Sequence, residues 1–430
     1  MLRRSIAKNA WRRQKFLNPI PGRKFQCRSG RLKGVMPVSR PILVTALGIA
    51  QILGWGTSFY FPAVLAEAIV ADTGWSFGWV VGGTSIGLLV SGLIAPRVGS
   101  VIDRRGGRPV LALSSILYAA GLAGAGVAPN LPLYLLAWIV IGGGMGTGLY
   151  DAVFAALGKI YGKDARTPIT NLTLFGGFAS TVCWPLGAFL AESFGWRGAC
   201  LIYAALHLLV SLPLQMAVMP KSSVQTSASP EIRVTTPAQT TVQPLPRTWS
   251  TFTLLALVLT ISAGVGSTVI VHLLIFLQAR GIDYGTAVAL GTMFGPAQVG
   301  ARVIERLFGE RYHPIWTMIA SCILMAIGLA LLYAGFPILA LAIALYGGGY
   351  GIMWVARGTL PLALFGPDRY ATLMGRLAFP SLIVQAMAPS AGALIIEGYG
   401  ANITMAVLTA LALVNVGLIG MLWMRVPRSR

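Results

Sequence analysis

Gly99-Ser-Val-Ile-Asp103-Arg104-Arg105-Gly106-Gly107-Arg108 is a compact charged turn set between two apolar runs, about residues 78–98 and 109–127. Each run approaches the roughly 20 apolar residues that a helix needs to cross the hydrocarbon core of a bilayer. So many charges in so short a link are costly inside that core, which fixes the turn at the membrane surface. Two neighbouring crossings joined by a tight surface loop are therefore the first readable piece of the fold.

Composition extends this reading to the whole chain. Of 430 residues, 56% are hydrophobic and 10% are charged, against about 25% charged in a soluble domain. That is too little polar surface to cover a water-soluble globule of this size, and an integral membrane protein is the physical answer. A net charge of +21 would suggest nucleic acid as the partner of a soluble protein, but its location argues otherwise. Residues 1–40 hold twelve Lys and Arg and no acid, and most other basic residues lie in short links between apolar runs. The charges read as topology signals, with the lipid bilayer as partner and no nucleic acid.

Twelve spans are expected, near residues 42–66, 78–98, 109–127, 131–156, 169–190, 198–218, 250–277, 285–304, 313–334, 337–360, 372–394 and 402–424. Helices are expected because lipid cannot satisfy exposed backbone groups. With the N-terminus in the cytoplasm, 31 of the 33 Lys and Arg fall on the cytoplasmic side, and Arg197 and Arg280 alone fall outside. This asymmetry follows the positive-inside rule and predicts a multi-pass protein of a bacterial inner membrane with both termini cytoplasmic.

The chain also repeats itself. Gly142-Gly-Gly-Met-Gly146 in span four recurs as Gly347-Gly-Gly-Tyr-Gly351 in span ten, and Glu192-Ser-Phe-Gly195 recurs as Glu397-Gly-Tyr-Gly400, both at a shift of 205. The charged turn has a decayed partner in Ala301-Arg-Val-Ile-Glu305-Arg306-Leu-Phe-Gly309-Glu-Arg311. The expected organisation is a basic extension 1–40, a six-helix bundle 41–219, a flexible linker 220–249, a second six-helix bundle 250–425 and a tail 426–430. The linker is rich in Ser, Thr, Pro and Gln and cannot bury enough apolar surface to offset its chain entropy. The extension lacks the apolar core of a secretory signal. It reads as a basic tail at anionic headgroups, as a transit peptide, or as a stretch upstream of a start at Met36. Cys27, Cys183, Cys200 and Cys322 lack metal-type spacing, so no metal, cofactor or disulfide is expected.

The turn fits the pattern Gly-x-x-x-Asp-Arg-x-Gly-x-Arg at Gly99, Asp103, Arg104, Gly106 and Arg108, and so resembles the loop between the second and third helices of major facilitator superfamily transporters. The resemblance implies an all-α membrane fold of twelve helices in two six-helix pseudo-repeats that alternate access to a central site. It also implies that the loop latches the halves together when the cytoplasmic side is closed, with Asp103 at the start of span eleven near Ala371. Asp151 is the expected acceptor for Arg104 and Arg108, and Glu305-Arg306 stands for Asp103-Arg104 in the second half. Trp75-Ser-Phe-Gly-Trp79 and Gly195-Trp-Arg197 look like the monocarboxylate and oxalate-formate branch.

In such a fold cargo lies near the midplane between the halves. Candidate cargo residues are Gln51, Trp55 and Tyr60 in span one, Phe294 and Gln298 in span eight, Trp354 in span ten and Gln385 in span eleven. Gln51 and Trp55, like Phe294 and Gln298, are four apart and share a helix face. That branch carries small organic acids with a deep arginine in span eight. Arg302, Arg357 and Arg376 are expected near cytoplasmic span ends with snorkelling stems, so Arg302 reads as too shallow for that role. Arg302, His207 and His272 are candidates for anion or proton coupling. No phosphate loop and no catalytic constellation is present, so a gradient, not ATP or an enzymatic step, is the expected driver. The expected function is a monomeric, gradient-driven carrier of a small organic metabolite or anion. The alternatives are a carrier of a neutral planar molecule such as a flavin-type vitamin, a drug efflux pump, and a non-transporting receptor.

Overall fold

The computed structural model describes residues 38–221 and 246–426; nearly all of the expected extension, most of the linker and the end of the tail lie outside the described residues. The described chain is helical throughout, with no strand. The first half contains α1 (Arg40–Gly56), α2 (Phe61–Thr73), α3 (Phe77–Arg105), α4 (Gly107–Gly126), α5 (Leu131–Gly148), α6 (Tyr150–Tyr161), α7 (Arg166–Gly177), α8 (Ala179–Leu206) and α9 (Leu212–Val218). The second contains α10 (Pro246–Gln278), α11 (Tyr284–Thr292), α12 (Phe294–Phe308), α13 (Pro314–Ala334), α14 (Leu339–Phe365), α15 (Tyr370–Tyr399) and α16 (Ala401–Arg425).

Among the described residues, nine helical runs are long and apolar enough to cross a membrane. One of them, Leu131–Val218, has 88 residues. Drawn as one straight helix it would reach about 130 Å, against a hydrocarbon core of about 30 Å. It turns at Gly162 (φ 54°) and at Gly195 (φ 69°), left-handed values that glycine adopts without strain.

Several expected spans are broken inside the protein. The first stops at Gly56 and resumes at Phe61, and the eighth breaks at Met293. Pro62 and Pro296 explain both breaks, since each lacks a donor N–H and its ring clashes with the carbonyl four residues earlier, on Ser58 and Thr292. The fourth breaks at Leu149, which is extended (φ −78°, ψ −175°). A π-turn interrupts the sixth at His207–Ser211. Such breaks within a span recur at transporter binding sites.

The repeated glycine runs do the same work in each half. A Cβ on Gly142 would sit 2.6 Å from the Gly87 carbonyl oxygen of α3, and one on Gly351 would sit 2.6 Å from the Gln298 carbonyl oxygen of α12. Gly144 abuts Tyr118 of α4, and Gly349 abuts Ser321 and Met325 of α13. Only glycine lets the helix backbones meet this closely.

Between the halves, α3 and α15 cross reciprocally. A Cβ on Gly99 would lie 2.2 Å from the Ala371 oxygen, and one on Gly375 would lie 2.3 Å from the Ala95 oxygen. Because these are backbone atoms, no side-chain movement relieves the overlap. Gly375→Val should therefore cost about 1–3 kcal/mol through overpacking, read as a lower unfolding temperature of detergent-solubilised protein. Gly417→Val, with nothing within 4 Å of its Cβ, should leave that temperature unchanged. Equal behaviour of the two variants would contradict the crossing.

Candidate functional site

The charged turn meets the opposite half. The Asp103 carboxylate accepts the Thr372 backbone N–H at 2.7 Å and the Thr372 hydroxyl as well. Thr372 is the third residue of α15, so a carboxylate from α3 satisfies one of that helix's orphan donors and sits at the positive end of its dipole. Lys159 of α6 donates to the Asp103 carbonyl oxygen at 3.0 Å. Gly106 ends α3 at φ 80°. Gly107 is already helical, and a Cβ there would lie 2.4 Å from Ala156 Cβ.

The decayed turn makes the mirror contact. Arg306 Nε donates to Asn171 Oδ1 at 2.5 Å, Glu305 lies 3.8 Å from Arg166, and Arg166 donates to the Gly309 and Tyr312 carbonyls at 2.5 and 2.6 Å. Thr317 donates its hydroxyl to Glu305 at 2.8 Å. Each turn thus touches the first residues of a helix in the other half, α15 for one and α7 for the other.

Asp151 is not the partner of Arg104 or Arg108, as the sequence suggested. It takes a bidentate ion pair from Arg357 of α14, at 2.8 Å from Nε and 2.9 Å from NH2. Arg357 also donates to the Ser381 hydroxyl at 3.1 Å and lies over the Trp354 ring. Arg357 is 1% exposed and Arg302 is 3% exposed, so neither snorkels. The expected span ends at 304 and 360 were too early: α12 runs on to Phe308 and α14 to Phe365, which draws both arginines inward. Arg376 is exposed.

Arg302 joins three elements. Its Nε donates to the Gly351 carbonyl at 3.0 Å, NH1 to the Thr173 carbonyl at 2.9 Å and NH2 to Gln298 Oε1 at 3.2 Å. Tyr150 donates its hydroxyl to the same Thr173 oxygen at 3.3 Å. Among the described residues no carboxylate pairs with Arg302. A guanidinium has five N–H donors, so two remain beyond the three in use.

Aromatic rings close the space beside Arg302. Trp55 and Trp354 meet edge to face at 5.4 Å, and Tyr150 lies 5.1 Å from Trp55 and 5.5 Å from Trp354. Their faces are spent on one another, which leaves less stacking surface than the sequence suggested. Phe294 stacks on Tyr346 and packs on Tyr350, both at 5.9 Å. Tyr150, Tyr350, Thr173 and Ser381 escaped the sequence reading; the proline breaks flanking Tyr60 and Phe294 were the available signal.

The remaining polar candidates scatter. Gln51 Nε2 donates to the Gly148 carbonyl at 2.6 Å, a tie within the first half. His207 bonds Thr57 at 2.8 Å and stacks on Tyr118, also within the first half. His272 bonds the Pro389 carbonyl at 2.8 Å within the second. Gln385 is 2% exposed, and among the described residues neither of its amide atoms has a hydrogen-bond partner.

The hydrogen bonds between the halves named above run from the charged turns inward to Arg302, and the ring contact of Trp55 with Trp354 lies deeper still. Contacts at the other end, such as Trp196 and Arg197 with Asp72, stay within one half. The arrangement is a helical bundle whose two halves are tied together by ion pairs and hydrogen bonds at the end that carries the charged turns.

A family model for the Major Facilitator Superfamily matches residues 46–314. The chain belongs to that superfamily, whose members are membrane transporters and not enzymes. An uncharacterized 38 kDa protein in the 23S RNA operon of Thermoproteus tenax is 30% identical over 324 residues, covering 75% of this chain and 76% of that protein. Monocarboxylate transporter 3 of Gallus gallus is 31% identical over 157 residues, covering 35% of this chain and 27% of that protein. In structure, the human organic anion transporter MFSD10 (TETRAN) superposes with a TM-score of 0.70 at 17% identity, over 89% of this chain and 100% of that one.

Breaking a buried ion pair by removing one partner leaves an uncompensated charge, whereas removing both is far milder. Asp151→Leu should lose about 3 kcal/mol or more of stability, and the double variant Asp151→Leu/Arg357→Met should recover most of it. Denaturant unfolding in detergent reads both, and a double variant as weak as the single one would contradict the pairing.

Proposed function

We propose that this protein is a gradient-driven carrier of small organic anions in the plasma membrane, with both termini in the cytoplasm, working as a monomer by alternating access. One observation carries the reading: Arg302 is buried where the halves meet, bonded to carbonyl and amide oxygens and to no carboxylate. Among the described residues the nearby acids are already taken: Asp151 pairs with Arg357, and Glu305 lies against Arg166 and Thr317. One positive charge remains in a low-dielectric setting, and an anionic cargo compensates it. The names of the monocarboxylate transporter relatives and of the organic anion transporter with the same fold support the same class.

The cycle follows from the bonds between the halves. With the cytoplasmic side closed, Asp103 holds the start of α15, Asp151 holds Arg357, and Arg302 reaches Thr173 across the interface. Cargo enters from the outside and takes the two spare Arg302 donors. A bound carboxylate competes for the guanidinium, weakens its hold on Thr173 and lowers the barrier to opening inward. Gly99, Gly106, Arg104 and Arg108 shape and anchor the latch. A proton or a counter-anion supplies the gradient, with Asp151, His207 and His272 as the groups able to carry a proton.

A neutral planar cargo is less well served, since Trp55, Tyr150 and Trp354 pack on one another. Reconstituted vesicles should take up labelled small carboxylates, and Arg302→Gln should cut uptake at least tenfold. Asp103→Asn should also slow uptake while leaving cargo affinity within about twofold. Wild-type vesicles that ignore carboxylates but move sugars or amines would contradict the proposal.

A further inference from the structure

The crossing of α3 and α15 brings two arginines together, one from each half. Arg97 follows Pro96 in α3, and Arg376 follows Gly375 in α15. A Cβ on Gly375 would lie 3.1 Å from the Pro96 Cα. One residue further along each chain, the Cα atoms of Arg97 and Arg376 are therefore at most about 12 Å apart. Both side chains are exposed. Among the described residues neither has a hydrogen-bond or ion-pair partner. The one acid on α3 is Asp103, which is bonded to Thr372, and the one acid on α15 is Glu397, at the far end of that helix.

The helix geometry says which way the two charges point. Gly99 meets Ala371, Ala95 meets Gly375 and Gly92 meets Leu382, so the helices run antiparallel. Each arginine follows a contact residue by one position, a rotation of about 100°. In an antiparallel pair the same sense of rotation turns both side chains to the same side of the joint. That side is apolar and open. Leu93 and Val101, one turn either side of Arg97, are exposed, and so is Phe379, three residues after Arg376. In a membrane protein such a face meets lipid. Arg97 lies eight residues before the end of α3 and Arg376 six residues after the start of α15, about 12 and 9 Å along their axes. Both charges thus start beside the acyl chains, and their stems carry the heads toward the headgroups at the charged-turn end.

We infer that Arg97 and Arg376 form a binding site for an anionic phospholipid, whose phosphate bridges the two halves at this joint. Guanidinium groups pair with phosphate through parallel N–H bonds, and a phosphodiester spreads its charge over two oxygens, one for each arginine. Basic pockets between membrane helices take such headgroups. Leu93, Val101 and Phe379 lie where the acyl chains of that lipid run; a free phosphate would use the charges and leave these side chains bare. A zwitterionic lipid brings an ammonium group that two arginines repel. Without an anion the like charges push the joint apart, and with one they hold it. Each half supplies one arginine, so occupancy favours the conformation in which α3 and α15 pack as they do here. The inference is independent of what the protein carries.

Thermal unfolding of the purified full-length protein in detergent tests it, with phosphatidylglycerol, cardiolipin or phosphatidylcholine added in steps. A ligand that binds only the folded state raises the unfolding temperature. The two anionic lipids should raise it saturably, and phosphatidylcholine should not. Arg97→Gln and Arg376→Gln should each raise the half-saturating lipid concentration at least about fivefold. The double variant should be little worse than either single one, because one phosphate needs both groups. Arg425→Gln removes an exposed cation at the end of α16 and should leave the half-saturating concentration within about twofold. An equal loss in Arg97→Gln, Arg376→Gln and Arg425→Gln would mean unspecific attraction to a basic surface and overturns the site. A lipid shift unchanged in Arg97→Gln or in Arg376→Gln overturns it too. So does an equal shift produced by inorganic phosphate, which would need no lipid.

Discussion

The buried guanidinium of Arg302 is the constraint around which the interior is arranged. An unpaired charge moved from water into a low-dielectric interior loses several kcal/mol even after relaxation. The protein offsets this with oxygens, not with a carboxylate: Gly351 and Thr173 supply main-chain carbonyls and Gln298 supplies an amide oxygen. Breaks in the helices put those atoms within reach. Phe294 restarts its span after the break at Met293, and Gly351 closes the glycine run that lets α14 lie against α12. Carbonyl dipoles stabilise the charge without cancelling it, which leaves an anion attractive to the site. Arg357 makes the contrast. Its bidentate pair with Asp151 cancels the charge locally, and its task is to hold the halves together.

In the proposed cycle the same bonds define what must change for the charged-turn end to open. The contacts between the halves form three layers: the backbone crossing of α3 and α15 with Asp103 at its tip, the Asp151–Arg357 pair, and Arg302 with the ring cluster. None is strong alone, since a carboxylate at a helix start is worth about 0.3–2 kcal/mol. Together they give a closed state that a ligand shifts only by binding the two states unequally. In the proposed cycle Arg302 serves both the closure and the cargo, so competition for its donors links occupancy to opening.

Much of this was legible in the chain, and the failures have physical causes. The charged turn, the duplicated glycines and the start of α15 near Ala371 could be read because each depends on local sequence: tight turns, close helix approach and charge at a helix end. The depth of Arg302 and Arg357 could not, because hydropathy marks where apolar residues stop and not where a helix stops. Both helices continue past the span ends that the apolar runs gave, to Phe308 and Phe365. The choice of Arg357 over Arg104 and Arg108 as partner of Asp151 joins residues 206 positions apart. Only the packing of one half on the other decides it. The sequence marks Gln385 as a midplane amide, but that it lacks a hydrogen-bond partner among the described residues is a tertiary fact.

An acid and its amide share one shape at the carboxyl but differ in charge and in the acceptor that a guanidinium needs, which makes their binding the most direct measure of the central claim. Calorimetry on detergent-solubilised protein compares 2-hydroxybutyrate with 2-hydroxybutyramide. The account predicts binding of the acid, at least tenfold weaker binding of the amide, and loss of the difference in Arg302→Gln. Equal affinity of acid and amide in the wild-type protein would contradict it.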